Sequence, residues 1–216
     1  MVPARNERHT LPLLVEQIRR ALSGAGQSES SEIILVDDGS ADGSWAVMQD
    51  LAGKHPDQVR ALRLRQALGK SVALEAGFRT AEGDIIFTMD ADLQDDASEI
   101  PRFLKAIEGG FDMVCGWRRE RPDPPSKTVP SKVFNRVCAW LTGIPLHDFN
   151  CGYKAFRREV IERIRLYGEQ HRFFPVFAHS EGFRIGEIEV RHHPRRHGAS
   201  KFGLERHLRV TVGLPE

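Results

Sequence analysis

From Asp84 the chain reads Asp-Ile-Ile-Phe-Thr-Met-Asp-Ala-Asp-Leu-Gln-Asp-Asp, an apolar run that breaks into a cluster of carboxylates. Asp90, Asp92, Asp95 and Asp96 are the acids, and Gln94 adds an amide. Asp90, Asp92 and Gln94 are spaced by two, so an extended backbone would send all three to one side. Like charges that close repel unless a cation sits between them. A hard divalent ion, Mg2+ or Mn2+, takes such oxygen ligands and keeps positions open for the phosphates of a nucleotide. A bare Asp-x-Asp is more often a solvated acidic turn ahead of a helix, here one that Ser98 could cap. Its neighbours must decide.

The elements around it are legible. Ile85-Ile86-Phe87 is short, apolar and β-branched, as a buried strand requires. Met1-Val2 reads as the end of a strand stopped by Pro3. Leu11, Leu14, Val15, Ile18 and Leu22 recur at helical spacing, with Gly24 and Gly26 beyond. Glu32 to Val36 is the next strand, 41–54 a helix, Val59 to Leu64 a third strand and 67–81 a further helix. Alternating strands and helices predict right-handed crossovers and a mainly parallel sheet. Ligands then bind beyond the carboxyl ends of the strands. Arg5 to Glu7, Asp37-Asp38, Lys70 and Asp90-Asp92 all fall there, which favours a nucleotide site over separate solvated turns. A carboxylate at Asp38 can accept from a nucleobase N–H, while the turn Asp37-Asp38-Gly39-Ser40 also caps the next helix. No G-x-G-x-x-G follows the first strand and no G-x-x-x-x-G-K-[ST] occurs, so a dinucleotide oxidoreductase or P-loop enzyme has little support.

Composition narrows the class. With 216 residues the chain can bury one core, and a single domain is expected over 1–216. Lys and Arg number 31 against 30 Asp and Glu, so no whole-molecule field calls for nucleic acid. Cys115, Cys138 and Cys151 have no metal-like spacing, and an odd number argues for a reducing, cytoplasmic setting. No secretory signal opens the sequence, and no apolar run approaches the ~18 residues that suggest a membrane span.

Several segments together resemble a known family. Val2-Pro3-Ala4-Arg5-Asn6-Glu7, Val36-Asp37-Asp38-Gly39-Ser40 and Met89-Asp90-Ala91-Asp92-Leu93-Gln94-Asp95 are similar to the family 2 inverting glycosyltransferases. Within these they resemble the dolichyl-phosphate mannose synthase and bacterial polyprenyl-phosphate branch. The likeness continues through Gly116-Trp117-Arg118, Asp148 to Lys154 and Arg195-Arg196-His197-Gly198-Ala199-Ser200-Lys201. It implies the GT-A fold, a Rossmann-like α/β sandwich, with 1–116 as the nucleotide-binding half and 117–216 as the acceptor half. Carried over by residue, Pro3, Arg5, Glu7, Val36 and Asp38 match the nucleobase and ribose pocket. Asp90 and Ala91 match the sugar–nucleotide wall, and Asp92 and Gln94 the metal and diphosphate ligands. Lys70 falls at the same nucleotide-sugar site. Arg118, Arg195 and Lys201 match basic groups around the diphosphate and the acceptor phosphate. The partners implied are a nucleoside-diphosphate sugar and a lipid phosphate, with Mg2+ or Mn2+ as cofactor. Arg5 departs from the family's frequent aromatic residue. Relatives carry apolar residues before the Val-Pro, so the first strand is expected to be stunted. The branch often continues into transmembrane helices after the Ser-Lys motif; the sequence stops at Pro215-Glu216, so membrane embedding is not carried over.

In the second half, Phe111 to Gly116 reads as a strand that delivers Arg118 to the same edge. Arg118 to Pro130 reads as a proline-rich loop, either a plain surface loop or a lid whose cations close on phosphate. Ser131 to Leu141 is an amphipathic helix that packs on the sheet or lies in a membrane surface. Asp148 stands on the acceptor side as a base, as an orienter of cations, or as a cap of nearby backbone. Ile185 to Val190 alternates as a half-exposed strand, and Leu204, Leu208 and Val212 suggest a final amphipathic helix. His192, His193, His197 and His207 lack the tight spacing of a zinc site. The reading is a metal-dependent inverting glycosyltransferase with Asp92, Asp148 and Arg118 at the reacting centre, at the cytoplasmic face of a membrane. Transfer to a saccharide hydroxyl and a non-catalytic nucleotide-binding scaffold are the alternatives.

Overall fold

The structure, a computed structural model, describes residues 1–120, 125–164 and 170–194. Strand β1 (Val2–Ala4) leads to α1 (Leu11–Gly24), which buries the Leu11, Leu14, Val15, Ile18 and Leu22 stripe expected from its period. Its proline lies in the first turn, where a missing N–H costs nothing. Then come β2 (Ile33–Asp37), α2 (Ser44–Lys54), β3 (Val59–Arg63), α3 (Lys70–Thr80) and β4 (Ile85–Thr88). The later elements are α4 (Ile100–Glu108), β5 (Met113–Trp117), α5 (Pro125–Thr142), β6 (Lys154–Arg157), α6 (Arg158–Arg163), α7 (Phe174–Ser180) and β7 (Ile185–Glu189).

The strands form two sheets. β1, β2 and β3 are parallel, with Val2 opposite Leu35 and Leu35 opposite Ala61. The second sheet has the order β4-β6-β5-β7. β5 and β7 are parallel, whereas β6 runs antiparallel to both neighbours. The reversal has a functional result: Lys154, at the start of β6, lies opposite Thr88 and Cys115 near the ends of β4 and β5. The segment Asp148 to Tyr153 therefore reaches the ligand edge from the other direction. The expected loop from Arg118 to Pro130 is shorter than its prolines suggested, because α5 already begins at Pro125. Proline is well tolerated in the first turn of a helix.

Helices cover both faces. One core joins Leu11, Leu14, Leu35, Phe103 and Tyr153, with the Phe103 and Tyr153 rings 4.5 Å apart. The other joins Phe78, Phe156 and Phe174, with Phe156 and Phe174 at 4.8 Å. Burying each such side chain contributes on the order of 2 kcal/mol.

The two sheets meet at Met1. Its amino group donates to Phe87 O (2.8 Å), and Met89 N–H donates to Met1 O (3.1 Å). The short first strand thus reaches β4 with one residue. Burial lowers the amine pKa from 8.0 to about 5, against a small opposing pull from Glu32.

Candidate active site

β4 ends at Thr88, and the acidic segment follows as a turn. Leu93 adopts φ 62°, a left-handed conformation that bends the chain between Asp92 and Gln94. Asp90, Asp92 and Gln94 are therefore not carried on one extended strand, as their spacing by two had led one to expect. The turn is instead tied to its own acids: Gln94 N–H donates to Asp92 Oδ1 (3.2 Å) and Asp90 N–H to Asp95 Oδ2 (3.3 Å). The segment after β7 clamps it from outside. His193 N–H donates to Gln94 O (2.8 Å), and Gln94 Nε2 donates to His193 O (3.2 Å).

Asp90 faces a cation. Its carboxylate is ion-paired to Lys70 at the start of α3. Burial pushes the Asp90 carboxyl up, but Lys70 and Arg118 more than reverse this and hold it below its usual range. A Cβ on Gly152 would come within 2.8 Å of the Asp90 carboxylate, so only glycine lets that group lie where it does. Behind Lys70, a cleft is walled by Leu74, Asn150, Lys154, His171 and Arg172. His171 Nδ1 lies 2.8 Å from Ser71 Oγ, and burial with the nearby Lys70 and Arg172 drives its pKa well below 6.5, leaving a neutral imidazole.

At the end of β2, Asp38 is nearly buried, and its carboxylate accepts from Leu68 N–H (2.7 Å) and Gly69 N–H (3.1 Å). Gly39 turns the chain at φ +64°, and a Cβ there would meet Ala67 N at 2.4 Å. The Asp38 turn and the 66–69 loop are thus packed backbone to backbone, which places Lys70. Pro3 and Val36 are strand neighbours, and Val36 is fully buried. Arg5 is exposed just past β1, while Glu7 O accepts from Thr10 N–H at the start of α1.

The other half of the edge is an ion pair. Arg118 Nε and Nη2 donate to Asp148 Oδ2 (2.7 Å) and Oδ1 (3.1 Å), with side-chain exposures of only 12% and 4%. Burial disfavours the charged guanidinium, and the anions around it, Asp148 and Asp95, more than offset this, so its pKa lies above the usual value. Glu187 on β7 fixes the loop from below. Its Oε1 accepts from the N–H groups of His147 (2.8 Å) and Asp148 (3.0 Å), and the His147 ring stacks on Trp117 at 4.2 Å.

Among the described residues, no group of three or more His, Cys, Asp and Glu converges as a preformed metal cage. The donor set fits another kind of site. Asp92 offers a carboxylate and Gln94 an amide oxygen, and an ion held by so few protein oxygens completes its shell from diphosphate and water. Asp90, neutralised by Lys70, suits a hydroxyl better than a cation.

The sequence model described as Glycosyl transferase family 2 matches residues 1–165. The chain belongs to that family. Among curated relatives, the dodecaprenyl-phosphate galacturonate synthase of Rhizobium johnstonii is 37% identical over 218 residues, covering 99% of this chain and 64% of its own length. The undecaprenyl-phosphate 4-deoxy-4-formamido-L-arabinose transferase of Aeromonas hydrophila is 37% identical over 214 residues, covering 99% and 65%. The chain spans just under two thirds of each. A glucosyl-3-phosphoglycerate synthase structure from Mycobacterium tuberculosis superposes with a TM-score of 0.70 at 17% identity, covering all of this chain and 79% of that one. A mannosyltransferase from Pyrobaculum calidifontis, in complex with GDP-Man and Mn2+, gives 0.61 at 23% identity over 87% of this chain and 53% of its own. These likenesses establish the GT-A fold of this family 2 chain.

Of the residues singled out from sequence, Lys70, Asp90, Ala91, Asp92, Gln94, Arg118 and Asp148 come to one edge of the second sheet. Pro3, Arg5, Glu7, Val36 and Asp38 line the end of the first. Arg195 and Lys201 lie outside the described residues, as does the helix expected around Leu204. Gly152, Glu187, His171 and the clamp by His193 were not anticipated. Each acts through a partner far away in sequence, and only the strand register would have paired them.

Proposed function

We propose that the chain transfers a sugar, with inversion, from a nucleoside-diphosphate sugar to a polyprenyl phosphate. The observation that carries this is the match over 99% of the chain to two enzymes named for polyprenyl-phosphate sugar transfer. Residues 1–116 form the nucleotide side, where Pro3, Arg5, Glu7, Val36 and Asp38 hold base and ribose. Asp90 and Ala91 face the sugar. Asp92 and Gln94 hold Mg2+ or Mn2+, which when bound neutralises charge on the departing diphosphate. Residues 117–216 form the acceptor side, with Arg118, Arg195 and Lys201 as the phosphate-binding cations.

The acceptor phosphate oxygen attacks the anomeric carbon opposite the diphosphate, a C–O bond forms, and the nucleoside diphosphate leaves. A phosphate is already anionic near neutral pH, so alignment by cations matters more than a base. The state of Asp148 favours this over a saccharide hydroxyl acceptor. Arg118 engages both of its carboxylate oxygens and it is almost buried, an arrangement suited to orienting a cation and ill suited to taking a proton. No helix among the described residues is long and apolar enough to cross a membrane. The three cysteines are buried and free, in keeping with a reducing compartment. We place the acceptor side of the site at the cytoplasmic face of a membrane, where a lipid phosphate is presented.

The test is transfer from labelled UDP- and GDP-sugars to a short-chain polyprenyl phosphate, with Mn2+, Mg2+ or chelator, and the product's anomeric configuration read by NMR. Preferential glycosylation of a saccharide hydroxyl would overturn the reading. Gly152→Ala supplies a second check. Its Cβ displaces the Asp90 carboxylate, so donor KM should rise about tenfold, equivalent to ~1.4 kcal/mol of lost donor binding. An unchanged KM would remove Asp90 from the sugar site.

A further inference from the structure

His192, just past β7, sits against the acidic turn with its side chain only 5% exposed. Its backbone forms an isolated antiparallel bridge with Asp95. Its ring reaches two groups of that turn: Nε2 lies 3.3 Å from Gln94 Nε2, and Nδ1 lies 3.7 Å from Asp95 Oδ1. The neighbouring carbonyl decides which way the Gln94 carboxamide points. His193 O can only accept, and it stands 3.2 Å from Gln94 Nε2, so the amide nitrogen faces it. The second hydrogen of that nitrogen is then donated to His192 Nε2. A ring that accepts at Nε2 carries its proton on Nδ1. Nδ1 is buried without a hydrogen-bond partner, which leaves the Asp95 carboxylate as the group that favours a proton there. With both amide hydrogens taken, Gln94 Oε1 has no hydrogen bond among the described residues.

We propose that His192 is a positioning residue, which pins the Gln94 carboxamide so that its oxygen, and not its nitrogen, is offered to the divalent ion. The inference rests on the assignment of Gln94 to the ion made above. An amide turned by half a rotation would present N–H groups, which repel a cation. His193 O opposes that rotation with one hydrogen bond, and His192 Nε2 opposes it with a second. The row Asp95, His192, Gln94 is thus a carboxylate and an imidazole that orient a metal ligand from behind. His192 is not a ligand itself, because the amide engages its Nε2 and its Nδ1 is buried. Asp95 likewise has a task apart from the ion: one oxygen faces the His192 ring and the other accepts from Asp90 N–H.

The experiment is calorimetry of UDP and of GDP on the 216-residue chain, each with and without Mn2+, for the parent, His192→Phe, His192→Gln and Gln94→Ala. Phe fills the space of the ring without an acceptor, whereas Gln can bring an oxygen near the position of Nε2. His192→Leu, smaller and equally without an acceptor, takes the place of His192→Phe if that variant does not fold. The gain in nucleotide affinity on adding Mn2+ should shrink about tenfold in His192→Phe and stay within about threefold of the parent in His192→Gln. Affinity without Mn2+ should match the parent in both. A His192→Phe variant that keeps the parent's response to Mn2+ overturns the proposal. An equal loss with and without the ion would make His192 structural and overturns it too. So does a His192→Gln variant as poor as His192→Phe, since the ring would then act by shape and not as an acceptor. Gln94→Ala separates this from the ion assignment. If it keeps the parent's response, or if the parent has none, Gln94 does not hold the ion and both readings fall. If it loses the response while His192→Phe keeps it, the role of His192 alone is wrong.

Discussion

Asp92→Ala should lower turnover by at least about a hundredfold, the effect of losing several kcal/mol of charge stabilisation at the departing diphosphate. The fold should survive. Asp92 Oδ1 accepts from Gln94 N–H, and losing that bond costs about 1 kcal/mol. Asp92→Asn keeps an acceptor for that N–H while removing the charge, so it separates turn geometry from ion binding. Calorimetry with UDP and with GDP, each with and without Mn2+, is the direct readout. The parent should bind more tightly with the ion, and both variants should be indifferent to it. Metal-dependent affinity that persists in Asp92→Ala would move the ion elsewhere.

Arg118→Ala should be the most damaging single change to both stability and activity. It leaves Asp148, 4% exposed, as a buried carboxylate without its bidentate partner. Breaking such a pair costs roughly 3–5 kcal/mol, or a fall of about 10 °C in melting temperature for a chain of this size. Replacing both residues, as Arg118→Met with Asp148→Leu, should recover most of the stability, because an apolar pair has no charge to desolvate. Transfer should stay absent, since the acceptor phosphate has lost its cation. A double variant that melts like the parent and still transfers sugar would show that the pair is structural only. An Arg118→Ala variant that melts within a degree of the parent would show that Asp148 finds solvent or another partner.

What could be read from sequence was what repeats locally. The Leu11 to Leu22 stripe and the apolar run Ile33 to Val36 of β2 each announce themselves within a few residues. So did the polar clusters at strand ends, because a parallel α/β order places them at one edge. The four-residue strand β6 did not, being short and ending in Lys154 and Arg157; its identity comes from pairing with β4 and β5 on both sides. The Asp-x-Asp-x-Gln spacing misled in a specific way. A period of two means one face only if the backbone stays extended, and one left-handed leucine at position 93 breaks that premise. The Lys70–Asp90 pair joins a helix start to a strand end, and the Glu187 bonds hold a loop to a strand 40 residues on. Neither leaves a local trace in composition or period.

Met1 joins the nucleotide-side sheet to the second sheet by two hydrogen bonds, and its side chain packs into both neighbouring clusters. A Cβ on Gly77 would fall 1.9 Å from the Met1 sulfur. The two sheets are therefore joined at a narrow seam of apolar side chains more than by a continuous backbone ladder. On the function proposed above, substitutions in that seam would shift the nucleotide side against the acidic turn and the Arg118–Asp148 pair without touching either.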